Sequence, residues 1–213
     1  YLDDGASLTM SGGSITGNTA SDNDGGAINV ERGNAYMSGL NIYGSESMQY
    51  GGAIYAEDSE ITLVDCRIGG NKAAYYGGVV NQYGSTVLIR SVVAENVGTT
   101  KSADLWGFYP NNYANSRYSI VGFVKDVLIK TDEQYGNLVG TEANPLKPFV
   151  AATVGNLELK PEYANALAPA SAAVLDDAFA AFVDEEDAEL AVDLAVLEET
   201  VFDDDLFASF EQF

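Results

Sequence analysis

Histidine is absent from this 213-residue sequence, cysteine occurs once, and proline does not appear before Pro110. Without an imidazole, serine- and cysteine-hydrolase chemistry loses its usual base. The lone Cys66 excludes a disulfide within one chain, and its phase among apolar residues reads as a small buried hydrophobe rather than a reactive thiol. No uninterrupted apolar run approaches the length of a membrane span. Apolar residues still make up 46% of the chain, enough for a folded core.

Basic residues are scarce. Ten Lys and Arg face 32 Asp and Glu, a formal net charge of −22, which argues against nucleic acid as a partner and favours cations or basic partners. The imbalance is local: residues 171–213 hold 14 acids and no base, whereas residues 1–170 hold 18 acids and all 10 bases. The chain opens at Tyr1 with neither a basic leader nor an apolar signal core, so the expectation is a mature form or a piece of a longer protein.

What the chain does have is a period. The pairs Gly25-Gly26, Gly51-Gly52 and Gly77-Gly78 recur every 26 residues, opening Gly-Gly-Ala-Ile, Gly-Gly-Ala-Ile and Gly-Gly-Val-Val. A fixed period of this size means stacked repeats. Between the pairs lie strand-like phrases with alternate apolar residues. Aligned at the period, they place Ala35, Ile61 and Val87 in one column, Met37, Leu63 and Ile89 in a second, and Leu40, Cys66 and Val92 in a third. A further column ends each unit with Asn18, Ser45, Asn71 and Asn96, where asparagine suits a left-handed corner and an amide bond to the next coil. The paired glycines serve another corner by permitting positive φ. Helix-spaced apolar faces are missing from these units, so a helical repeat array is disfavoured. The pattern predicts an all-β right-handed parallel β-helix of about four clear coils.

The Gly-Gly-Ala-Ile phrases, alternating with aliphatic-x-x-Asn at 15–18, 68–71 and 93–96, resemble the repeats of polymorphic outer-membrane proteins and related autotransporter-like bacterial β-helix surface proteins. The phenylalanine usual in that family's second repeat is replaced here by isoleucine or valine. A second, looser resemblance, to the closing coils of secreted β-helix proteins with anchor-type C-terminal regions, lies in Ser119-Ile120-Val121-Gly122, Asn137-Leu138-Val139-Gly140 and Leu157-Glu158-Leu159-Lys160-Pro161. The resemblance implies a bacterial chain that is secreted or displayed at the cell surface.

Three segments follow: coils over 1–105, degenerate coils and loops over 106–170, where all five prolines fall, and an acidic helical tail or cap over 171–213. The run from Trp106 to Tyr113 reads as a loop leaving the stack. In the tail, Leu175, Phe179, Phe182, Leu190, Leu194, Leu197 and Val201 recur at helical spacing. Ser171 and Asp203 stand where helix caps would. Such a tail would attach a partner or cover the open end of the stack.

Candidate chemistry is thin. If the chain is an enzyme, Asp65, Arg67, Lys72 and Arg90 are the candidate catalytic residues, with Arg67 and Arg90 on neighbouring coils; the plain alternative is outward charge on a solvated sheet. No cofactor is required. Calcium has one weak candidate, Asp22-Asn23-Asp24-Gly25-Gly26, which lacks the alternating ligands and closing glutamate of an EF-hand, and Asp203-Asp204-Asp205 reads as a helix start. Tyr50 and Tyr76 precede glycine pairs at one phase, forming with Tyr75 and Tyr83 an aromatic flank that stacks sugars or simply braces the sheet. Trp106 and Tyr109 add aromatic candidates for binding. The resulting expectation is a non-catalytic stalk or adhesin-like segment whose partner is a host or neighbouring cell-surface protein or glycan. The alternatives are a fragment of a carbohydrate-active β-helix enzyme and a purely structural spacer.

Overall fold

The computed structural model describes residues 1–107, 112–131, 135–152 and 156–167. Tyr109 and the acidic stretch 171–213, with its expected helices and its Asp203 to Asp205 run, lie outside them.

One coil shows how the others are built. From Ile28 the chain runs through four short strands, Ile28–Glu31, Asn34–Ser38, Asn41–Tyr43 and Glu46–Tyr50, then starts the next circuit at Ile54–Glu57. Each strand pairs in parallel with its counterpart one coil away, so four parallel sheets enclose the core. The fold is mostly β, a parallel solenoid of about four turns, as the repeat predicts. Side chains alternate in and out along each strand: Glu60–Val64 buries Ile61 and Leu63 and turns Glu60 to solvent. Columns such as Ile28, Ile54, Val79 and Leu105, or Ile42, Ile68, Val93 and Val121, run up the interior. Each fully buried aliphatic side chain contributes roughly 1.5–3 kcal/mol.

The coils are not all 26 residues long. Ile15 to Ile42 takes 27, Ile42 to Ile68 takes 26, and Ile68 to Val93 takes 25. The third step corrects all three expected columns: Thr86, not Val87, stacks on Ile61; Leu88, not Ile89, on Leu63; and Ser91, not Val92, on Cys66. The residue is lost in the fourth sheet, where Lys72 and Ala73 pair with Glu46 and Ser47 but Tyr75 pairs with Tyr50. A slip of one residue exchanges inward and outward positions. The core therefore receives polar Thr86, whose hydroxyl accepts from the Asn81 amide at 3.0 Å. At the glycine corner, Gly25 and Gly51 have φ +69° and +64°, but in the next coil Tyr76 takes the left-handed conformation at +53°. Gly78 answers a different need, because a Cβ there would lie 1.9 Å from the Asp104 carbonyl oxygen.

The asparagine column is present with its roles divided. Gly17, Gly44, Gly70 and Glu95 adopt the left-handed turn, and the residue after each supplies the hydrogen bonds. Ser45 N–H donates to Asn71 Oδ1 at 3.0 Å, and Asn71 N–H to Asn96 Oδ1 at 3.1 Å. A second ladder runs up the Cys66 corner, where Cys66 N–H donates to Ser91 Oγ and Ser91 N–H to Ser119 Oγ, both at 3.1 Å.

Trp106 does not leave the stack as expected, because Leu105–Gly107 and Asn112–Arg117 are strands of the first and second sheets. Later coils shorten, and the chain then turns back along the outside. Phe149–Ala151 and Asn156–Leu159 form an antiparallel pair that lies as a strap on the third sheet, against outward-facing Val92, Ala94 and Ile120. That outer face carries Ser14 and Asn41 in the early coils and apolar residues where the strap covers it. Gly69 makes room for the Phe149 ring, which a Cβ would meet at 2.6 Å.

Candidate functional site

The aromatic flank is the most concentrated group among the expected binding residues. Tyr50 and Tyr75, paired across neighbouring coils, stack with ring centroids 5.1 Å apart. Tyr76 stacks on Trp106 at 4.5 Å and 12° between planes, and Tyr50 lies 6.1 Å from the same indole. The equivalence expected of Tyr50 and Tyr76 is corrected: the shortened coil aligns Tyr50 with Tyr75, and Tyr76 stands one residue further, in the left-handed corner. The first sheet supports the group from its outer face, where Tyr55, Val80 and Trp106 form one column. Trp106 Nε1 donates to Asp126 at 3.1 Å, and Tyr55 Oη donates to Glu57 at 3.2 Å. Burial, reinforced by Glu57, raises the Tyr55 phenol well above its ordinary range. Trp106 and Tyr76 are buried, while Tyr50 and Tyr75 are partly buried against them. Tyr83 is exposed at another corner, in a left-handed turn.

The four candidate catalytic residues do not converge. Arg90 forms a bidentate pair with Asp65 on the adjacent coil, at 2.8 and 2.7 Å. Lys72 pairs with Glu46 at 2.7 Å, again between coils. Arg67 lies on the strap side, where Nη1 donates to the Leu157 carbonyl at 3.2 Å. These contacts tie coil to coil and strap to sheet. At residues 22–26, Asp24 Oδ1 accepts the Tyr50 N–H at 2.7 Å. Among the described residues, no three His, Cys, Asp or Glu side chains are grouped to hold a metal ion. Cys66 is buried, and burial pushes its thiol up to about 11, consistent with the inert reading.

Asp104 is the residue that sequence reasoning missed. It stands only eight positions after Asn96 yet takes the next place in the amide ladder, so no period marks it. Its Oδ1 accepts the Asn96 N–H at 2.8 Å and the Asn96 side-chain amide at 3.0 Å. Burial pushes the carboxyl up to about 7, with the Asn96 and Phe123 hydrogen bonds opposing. The chain matches no protein-family model, no curated protein and no solved structure.

Proposed function

We propose that this solenoid is a non-catalytic binding segment, secreted or displayed at a bacterial cell surface, with a right-handed coil and the aromatic corner as its contact face. The observation that carries this reading is the stack of Tyr50, Tyr75, Tyr76 and Trp106, anchored by two buried residues and completed by two partly buried ones. Rigid aromatic faces bind sugar rings and apolar side chains at small entropic cost. The partner is a glycan or a protein of a host or neighbouring cell surface. The resemblance of the glycine and asparagine phrases to outer-membrane β-helix repeats supports the location. The engagement of Asp65, Arg67, Lys72 and Arg90 in coil and strap contacts weighs against the carbohydrate-active alternative.

The test is a panel of immobilised acidic and neutral polysaccharides and surface glycoproteins, scoring bound protein and released sugar ends together. The expected result is saturable binding without released ends, weakened roughly tenfold in Tyr50→Ala and Tyr75→Ala, since one aromatic contact is worth about 1 kcal/mol beyond its buried area. Released ends would make the chain an enzyme. Silence on every surface would leave a structural spacer.

A further inference from the structure

The amide ladder ends on Asp104, a residue that lines a cavity. An asparagine at 104 would offer the same Oδ1 to the two Asn96 donors, as Asn96 and Asn71 do one and two rungs earlier in the ladder. The ladder therefore does not call for a charge, and burying one costs free energy. The cavity beside Asp104 has a volume of about 360 Å³, the scale of a small-molecule site. Glu95 and Glu142 contribute carboxylates to its lining, Phe123 and Leu146 apolar surface, and Lys147 a single cation. Among the described residues, no ion pair includes Glu95, Asp104, Glu142 or Lys147. Glu95 does accept the Phe149 N–H at 2.9 Å, which fixes its carboxylate against the strap.

We infer that this cavity binds an organic cation carrying an ammonium group, with Asp104 as its buried counter-ion. Three carboxylates against one lysine set the sign of the charge. A bare metal ion suits the site less well, because no three acidic side chains group around one point. The raised carboxyl supports the assignment: near neutral pH Asp104 is partly protonated, and an arriving cation drives the proton off. The site adjoins the aromatic corner, since Phe123 packs in one cluster with Tyr76 and Trp106, but its assignment rests on charge and not on the reading of that corner.

The experiment is calorimetric titration of the full chain with n-butylammonium chloride at pH 7, with n-butanol as the neutral isostere. The expected result is a dissociation constant on the order of 1 mM. Proton release should appear as a heat that varies with the ionisation enthalpy of the buffer, and n-butanol should not bind. Asp104→Asn keeps the ladder acceptor and should weaken binding at least about tenfold, the scale of one lost charge-assisted bond. Glu142→Gln, at the exposed rim, should weaken it less and serves as the second variant. Nα-acetyl-lysine methylamide distinguishes the source: if it binds as well as butylammonium the site admits a partner's lysine, and if it does not the site takes free amines. Either result supports the assignment. Absence of saturable heat, equal binding of n-butanol, or unchanged affinity in Asp104→Asn would overturn it.

Discussion

At Asp104 the fold holds a carboxyl that is 4% exposed, with amide donors around it and no cation in an ion pair among the described residues. A carboxyl raised in the folded state binds its proton more tightly there than in the unfolded chain. Its contribution to stability is thus full below the ordinary aspartate value of 3.8 and is lost as pH rises through about 7. At 1.36 kcal/mol per unit, that interval amounts to roughly 4 kcal/mol at most. Asp104→Asn removes the titration and keeps the acceptor. Urea denaturation of both proteins at pH 4.5 and pH 8 should show the variant gaining on the parent by a few kcal/mol at the higher pH. A difference that stays constant with pH would mean the carboxyl titrates in its ordinary range.

Among the elements, the strap departs from the repeating coil, and its anchors are specific. Phe149 is 1% exposed, seated on Gly69, with its N–H on Glu95 and the strap held further along by Arg67 at the Leu157 carbonyl. Truncating a buried phenylalanine costs roughly 3–5 kcal/mol, and here the loss falls on a segment outside the ladder of parallel coils. In Phe149→Ala, amide hydrogen exchange should accelerate over residues 146–152 and 156–159 while Glu60–Val64 stays protected. Equal acceleration in both places would show strap and coils to be one cooperative unit. The sequence announced the coils and not the strap, for a physical reason. Coil positions recur with a period, so Ile42, Ile68 and Asn71 identify one another, whereas Phe149 and Gly69 meet once, 80 residues apart. The same limit hid Asp104, which enters the ladder out of phase, and it misplaced Val87, Ile89 and Val92 by one residue once a coil shortened between Ala73 and Tyr75. Tyr50 and Trp106 were legible as aromatics; their stacking on Tyr75 and Tyr76 came from that same shortening.

For the whole molecule, stacking makes the cost of a change depend on where in the pile it falls, since each coil is supported only by its neighbours. Asn71 sits in the middle with coils on both sides. It accepts the Ser45 N–H, donates to the Ile42 carbonyl at 3.0 Å and reaches Asn96 Oδ1 at 2.9 Å. Asn71→Ala strands buried donors and acceptors in two adjacent coils, at roughly 1–3 kcal/mol for each unsatisfied group, so a loss of about 2–5 kcal/mol is expected. Asn18 holds the same phase in the first coil, but it is exposed and its described side-chain bond goes to the Thr16 carbonyl of its own turn. Asn18→Ala should therefore cost no more than about 0.5 kcal/mol. Chemical denaturation of the two variants side by side reads this gradient directly. Similar losses at both positions would mean that Asn18 has a partner on its outer side, and that the first coil is covered in solution by another β-structured segment.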